Sequence, residues 1–278
     1  MYEESDSLTV GIATGAGRGM GLECARLLPR LVDHVILVDR DEPSVVQAAE
    51  DMGAEPFVAD VTDPVALDKL AARVAELGTL RAVAHAAGIS PTMADWRRVL
   101  EVDLVGTALL ARALRPLATR GTATVNFASM ASVLRPAGPD DAELDKLMAD
   151  PLQDGFLARI RAAAGPSIES PGAAYSLAKR GVTVFTQREA VRVGPLGARV
   201  VSLSPGLIDT PQGRQEEQAH ESVGRMLGQT PLGRMGLPGE IAKVVAFALS
   251  DDASVLSGVD LLVDGGVVAA LTAVKGGW

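Results

Sequence analysis

Cysteine is almost missing from this chain of 278 residues: Cys24 is the only one. No internal disulfide can form, and a reducing, cytoplasmic location is expected. Cys24 falls inside an apolar helical pattern, which predicts a buried thiol and not a reactive one. Three scattered histidines and one cysteine offer no metal-ligand spacing, so no metal is expected. Aromatic residues are scarce, at 3%, although apolar residues reach 47%; a core must therefore be built mainly from Ala, Val and Leu. Positive charge is not in excess. The net charge is −9, which argues against a general surface for nucleic acid or anionic membrane. No apolar run is long enough to span a bilayer. Residues 1–7 are acidic and polar, unlike a secretory signal.

What is present is a regular alternation. Residues 8–14, 34–39, 55–59, 81–87, 122–128, 199–204 and 259–263 read as strands. Between them, residues 19–28, 43–51, 64–77, 94–118, 173–193 and 239–249 carry helical periodicity. This order predicts an α/β chain of one domain over 1–278. Its fold would be a single Rossmann-type, doubly wound parallel sheet with helices on both faces. The alternation breaks at 134–171, a stretch rich in proline. Leu144, Leu147 and Met148, then Phe156, Leu157 and Ile160, sit there at helical spacing, which predicts a helical insertion. Residues 207–232, polar and punctuated by Gly and Pro, read as a mobile lid over a substrate.

Two motifs carry chemistry. Thr14-Gly-Ala-Gly-Arg-Gly-Met-Gly21 lies between the first strand and the first helix. Met20 breaks the G-x-G-x-x-G pattern; the fit is to T-G-x-x-x-G-x-G, with Gly15, Gly19 and Gly21 as the three glycines and Gly17 as an extra. Without side chains, backbone N–H groups can approach a phosphate at a helix N-terminus. Asp39, at the end of the second strand, can accept from adenosine ribose hydroxyls and would repel a 2′-phosphate, favouring NAD over NADP. Arg18 and Arg40 pull the other way, since either guanidinium can meet such a phosphate. Asp60-Val61 follows the third strand, where a carboxylate can meet the adenine amino group. The second motif is Tyr175-Ser-Leu-Ala-Lys179, a phenol and an ammonium four apart on one helix face, able to make a phenolate base.

Together with Asp60-Val-Thr-Asp63, Ala86-Ala87-Gly88, Ser129, Ser204-Pro-Gly206 with Thr210, and Leu261-Leu-Val-Asp-Gly-Gly266, these motifs resemble the short-chain dehydrogenase/reductase family along nearly the whole chain. The resemblance implies hydride transfer between a secondary alcohol or ketone and nicotinamide, with Tyr175 as general acid/base and Ser129 orienting the substrate oxygen. Lys179 would favour the phenolate and bind the nicotinamide ribose. Cofactor contacts would come from Gly15, Gly17, Arg18, Gly19, Met20 and Gly21; from Asp39, Arg40, Asp60 and Val61; and from Ala86, Ala87 and Gly88. Tyr175, Lys179, Pro205, Gly206, Ile208 and Thr210 would complete them. Ser132 is the alternative to Ser129, but three residues on it should point elsewhere. A homotetramer or homodimer is implied, with the apolar residues 261–278 as candidate interface.

Two departures from the family pattern stand out. Its usual V-N-L is here Val102-Asp103-Leu104. An Asp keeps the main-chain carbonyl associated with a relay water and adds a charge that can act on Lys179 if close. Ser129 and Tyr175 are also 46 positions apart, unusually far, and the intervening insertion resembles that of bacterial hydroxysteroid dehydrogenases and related carbonyl reductases. Its apolar residues are expected to line a roof over the substrate or a subunit contact. A steroid-like or other apolar alcohol is one implied substrate. A lyase or epimerase using NAD transiently, or a non-catalytic dinucleotide sensor, would share the glycine turn and Asp39.

Overall fold

The computed structural model describes residues 7–138, 140–219 and 221–276, apart from the side chains of 216–219, 221–223 and 274–276. The polar start at 1–6, His220 within the expected lid, and the terminal Gly277 and Trp278 lie outside the described residues.

Seven strands form one parallel sheet in the order β3-β2-β1-β4-β5-β6-β7. They are β1 (Thr9–Thr14), β2 (His34–Asp39), β3 (Glu55–Val58), β4 (Thr79–His85), β5 (Ala123–Phe127), β6 (Arg199–Pro205) and β7 (Asp260–Val263). The central strands are apolar runs because both faces are covered. In β2, Val35, Ile36, Leu37 and Val38 are all buried. The edge strand β3 alternates between half-buried and exposed positions and tolerates Pro56, as an edge can.

Helices α1 (Gly19–Leu27) and α2 (Glu42–Met52) follow β1 and β2, and α3 (Pro64–Leu77) follows β3. After β4 come α4 (Trp96–Leu100), one π-helical turn at Glu101–Val105, and α5 (Gly106–Leu114). Next are α6 (Met130–Leu134), α7 (Asp141–Met148), α8 (Phe156–Ala164) and the long α9 (Pro171–Val193). Helices α10 (Pro211–Ala219), α11 (Glu221–Gln229), α12 (Pro238–Leu249) and α13 (Val267–Gly276) complete the order. One face of the sheet is closed by α1, α2 and α12 through residues such as Ala25, Val45 and Val245. The other is closed by α3 and α5, through Leu67 and Leu110, and by α9, through Phe185. The doubly wound arrangement read from the alternation is therefore present, and the order reverses between β1 and β4. Ligands of such sheets bind at that switch point, outside the carboxyl ends of the strands.

One expectation is refined and another corrected. The helix expected over 94–118 runs from Trp96 to Leu117, but it widens into one π turn at Glu101–Val105 and ends in a 3-10 turn at Arg115–Leu117. The reason is local bonding. Asp103 turns its carboxylate to the Ile89 N–H (2.8 Å), and the Thr107 hydroxyl donates to the Asp103 carbonyl (2.8 Å). The insertion is also not a roof. Its buried residues Leu144, Leu147, Met148, Phe156, Ile160 and Ile168 join Leu100, Leu104, Val182 and Phe185 in one core cluster, and none of them borders the cleft that opens at the switch point. Arg180 of α9 clamps it in place, donating to both carboxylate oxygens of Asp145 (2.8 and 2.7 Å).

Candidate functional site

A cleft of about 740 Å³ opens at the switch point. Its first wall is the turn after β1. Gly15 has φ +64° and lies so close to β4 that a Cβ there would meet the Ala87 backbone at 2.9 Å. A Cβ on Gly21 would collide with the Gly15 carbonyl, so α1 can start against the turn only without a side chain there. Arg18, the residue before α1, makes no side-chain cap, which leaves the helix N-terminus to the cleft. Gly19 (φ +62°) faces open space: a Cβ there would approach only the Thr210 side chain, at 3.7 Å.

At the end of β2, Asp39 accepts from the Gly17 N–H through one oxygen (3.0 Å) and from the Asp41 N–H through the other (3.0 Å). It lines the cleft together with Arg18, Arg40, Asp60 and Val61. Arg18 is paired with Asp41 at 3.2 Å. Asp60 is tied to the Thr62 N–H and hydroxyl (2.9 and 2.7 Å) and to Arg98 (2.6 Å). Burial works to raise its carboxyl, but the hydrogen bonds from Thr62 and Arg98 together outweigh burial and hold it below the usual range. The first two βα turns and the α1 terminus thus fit a dinucleotide.

The far wall is built by β5, α6, α9 and the segment after β6. Ser129 lies two residues after β5 and caps α6, its hydroxyl accepting from the Ala131 N–H at 3.2 Å, and it lines the cleft. Ser132 instead donates to the Ser129 carbonyl (2.7 Å) and turns inward, as its spacing predicts. Tyr175 lines the cleft from the second turn of α9. Lys179, one turn on and only 5% exposed, lies behind it, with Nζ 5.7 Å from the Tyr175 ring centroid. That ammonium donates to the Phe127 carbonyl (3.0 Å) and stands 3.9 Å from the Asp103 carboxylate. Gly88 makes room for both: a Cβ there would meet Asp103 at 2.9 Å and Lys179 at 3.2 Å. Ala86, Ala87, Gly88, Pro205, Gly206, Ile208 and Thr210 all border the same cleft. The segment after β6 is stitched to residue 236 by the Asp209 N–H to Gly236 and Gly236 N–H to Leu207 bonds (2.8 and 2.9 Å).

One participant has no signal in the sequence. His85, 1% exposed at the end of β4, bridges Thr14 Oγ1 (2.7 Å) and Thr107 Oγ1 (3.0 Å). The Thr107 hydroxyl donates to Asp103, so it accepts from Nε2–H; Nδ1 then accepts from Thr14, whose oxygen takes the Ala87 N–H (3.1 Å). Burial, and secondarily the Lys179 charge, hold His85 neutral, with its pKa drawn down to about 3. A neutral imidazole therefore links the cofactor turn to the π turn carrying Asp103. Counting histidines along the chain cannot reveal this, because its two partners, Thr14 and Thr107, are distant in sequence. Cys24 is buried in α1, and burial, with Glu23 adding to it, pushes its thiol up to about 12, so it is no nucleophile. Among the described residues no metal-binding cluster occurs, and no helix is long and apolar enough to cross a membrane.

The fold and this cleft define an α/β protein of the doubly wound class with a switch-point site. Comparison with known proteins narrows the class. A family model described as enoyl-(acyl carrier protein) reductase matches residues 15–139 and 147–268. The chain is 31% identical to cis-4-hydroxycyclohexanecarboxylate dehydrogenase of Sinomonas cyclohexanicum, over 94% of this chain and 96% of that one. It is 30% identical to the L-tagatose-forming galactitol 2-dehydrogenase of Cereibacter sphaeroides (91% and 92%), and 31% identical to cyclopentanol dehydrogenase of a Comamonas strain (94% and 97%). Among solved structures, one titled ribose-5-phosphate isomerase from Brucella melitensis superposes with a TM-score of 0.77 at 29% identity, covering 97% of this chain and 96% of that one. A second, titled short-chain dehydrogenase/reductase, glucose/ribitol dehydrogenase, from the same organism, has a TM-score of 0.73 at 25% identity, with coverage of 93% and 96%. The chain belongs to the short-chain dehydrogenase/reductase family, a family of oxidoreductases whose dehydrogenases use nicotinamide cofactors.

Proposed function

We propose that the protein is an NAD-dependent oxidoreductase that interconverts a secondary alcohol and its ketone. The observation that carries this reading is the placement of Ser129 and Tyr175 on one wall of the switch-point cleft, with the Lys179 ammonium buried behind the Tyr175 ring. Bound nicotinamide supplies the hydride acceptor or donor. The chain's own residues handle the proton. A free phenol titrates near 10, so a base active at neutral pH needs a nearby cation, and Lys179 is that cation. Ser129 holds the substrate oxygen by hydrogen bonding, and Tyr175 takes the hydroxyl proton as the ketone forms or returns it in reduction. Lys179 is kept in place by the Phe127 carbonyl and the Asp103 carboxylate.

NAD is favoured because a 2′-phosphate at the end of β2 would meet the Asp39 carboxylate, while the charge of Arg18 is already met by Asp41. The relatives are named for a ring alcohol bearing a carboxylate, a sugar alcohol and an unsubstituted ring alcohol; their common denominator is a secondary CH–OH. The test follows the reduced-nicotinamide absorbance with a panel of secondary alcohols, using NAD and NADP side by side. Wild-type protein is expected to form NADH with a higher kcat/KM for NAD than for NADP. Tyr175→Phe is expected to lower kcat by about 10²–10⁴-fold while NAD still binds. Ketone or isomer formed with no net NADH would instead mark an enzyme that uses the cofactor transiently.

A further inference from the structure

We infer that the substrate end of the cleft is built for a neutral, apolar ring alcohol or ketone and rejects substrates carrying a carboxylate or phosphate. This rests on the oxidoreductase reading above and names its substrate class. The argument begins with where charge lies. Among the described residues lining the cleft, the charged side chains are Arg18, Asp39, Arg40 and Asp60. All four stand on the turns after β1, β2 and β3, in the half that fits the adenosine end of a dinucleotide. Two of them already have ionic partners, Arg18 in Asp41 and Asp60 in Arg98.

Around Ser129 and Tyr175 the lining changes character. Met93 comes from the segment after β4, Met130 follows Ser129 directly, and Met226 comes from α11; Val102 and Leu207 line the same cleft. Met130, Leu207 and Met226 pack in one cluster with Val267 and Val268 of α13, so this apolar wall is held from behind. Met93, an apolar side chain in the cleft lining, is 48% exposed. Methionine is flexible and polarisable, and it moulds to aliphatic rings better than to charged groups. The polar groups on this side are uncharged: Ser129, Tyr175, Ser176, Gln212 and Gln215. Ser176 already donates to the Gly172 carbonyl at 3.0 Å.

The nearby cations are committed elsewhere. Lys179 is buried behind Tyr175 on the Phe127 carbonyl, Arg135 pairs with Asp141 at 2.7 Å, and Arg214 pairs with Asp209 at 3.1 Å. Arg225 of α11 is exposed and is not among the residues lining the cleft. Among the described residues an anionic substrate would therefore lose its hydration at this end with no ionic partner in return, which disfavours it by on the order of 100-fold or more against a neutral isostere.

The experiment measures binding of two matched ketones to the full chain saturated with NADH, by titration calorimetry at neutral pH. The probes are 4-methylcyclohexanone and 4-oxocyclohexanecarboxylate. The neutral ketone is expected to bind at least about 100-fold more tightly. Met226→Arg, which supplies the missing cation, is expected to narrow that ratio at least about tenfold. Equal or tighter binding of the carboxylate by the wild type, binding of neither ketone, or an unchanged ratio in Met226→Arg overturns the inference. Turnover separates the two readings. If the neutral ketone binds but neither it nor its alcohol is converted with NAD(H) or NADP(H), the proposed function falls and the substrate class stands. If the carboxylate is both preferred and converted, the reverse holds.

Discussion

A single imidazole shows how much a residue's neighbours decide. His85 has an ordinary solution pKa near 6.5, yet in the fold it stays neutral down to about 3 because it is buried and, to a lesser extent, faces the Lys179 charge. The folded value is depressed, so the unfolded chain binds the extra proton first as pH falls. The stability His85 confers is whole above about pH 6.5 and is lost progressively between there and pH 3. At pH 5 the loss amounts to about 2 kcal/mol. Urea unfolding at pH 7.5 and pH 5 is expected to show it, and His85→Gln should flatten that part of the difference. An unaltered pH dependence in the variant would mean that the imidazole is not held neutral by its burial.

The insertion is the element whose role changes most once its packing is known. Phe156 and Ile160 of α8 are buried against the chain's own core and do not border the cleft. Even Gly181 of α9 takes part, since a Cβ there would meet Leu104 at 2.5 Å and the Met148 sulfur at 3.1 Å. The insertion therefore braces α9, the helix that presents Tyr175 and Lys179. Phe156→Ala is expected to destabilise the protein by about 3–5 kcal/mol in denaturant unfolding. At temperatures where the variant remains folded, the relative kcat/KM values across the alcohol panel should be unchanged, because the residue does not line the cleft. A changed substrate ranking with little loss of stability would return the insertion to the substrate side.

For the molecule as a whole, the cleft lies between two halves of one sheet, and a dinucleotide there would touch both. Its near contacts come from β1, β2 and α1, its far ones from β5, α9 and the segment after β6. A ligand that binds only the folded state adds about 2.7 kcal/mol at one hundred times its dissociation constant. NAD at that level is expected to raise the thermal midpoint by several degrees, read by scanning calorimetry. NADP at the same concentration should raise it less if Asp39 discriminates as argued. An equal shift from both cofactors would remove Asp39 from that role.

The chain's linear pattern determined the strand–helix order, the doubly wound parallel sheet, the glycine turn, Asp39 at the end of the second strand and the Tyr175–Lys179 pair on one helix; Ser129 came with the family resemblance, and the place of the reversal, between β1 and β4, came from the fold. The pattern was legible because hydrophobic period and turn chemistry are local, and because seven apolar runs joined by crossovers leave few ways to close a parallel sheet. Tertiary structure decided where the insertion packs, why the helix after β4 opens into a π turn, and what His85 holds together. It also tied Asp60 to Arg98 and set Asp103 beside Lys179. Each of those outcomes depends on a partner many residues away, and burial and pairing energies are properties of the assembled neighbourhood, which no local window of sequence contains.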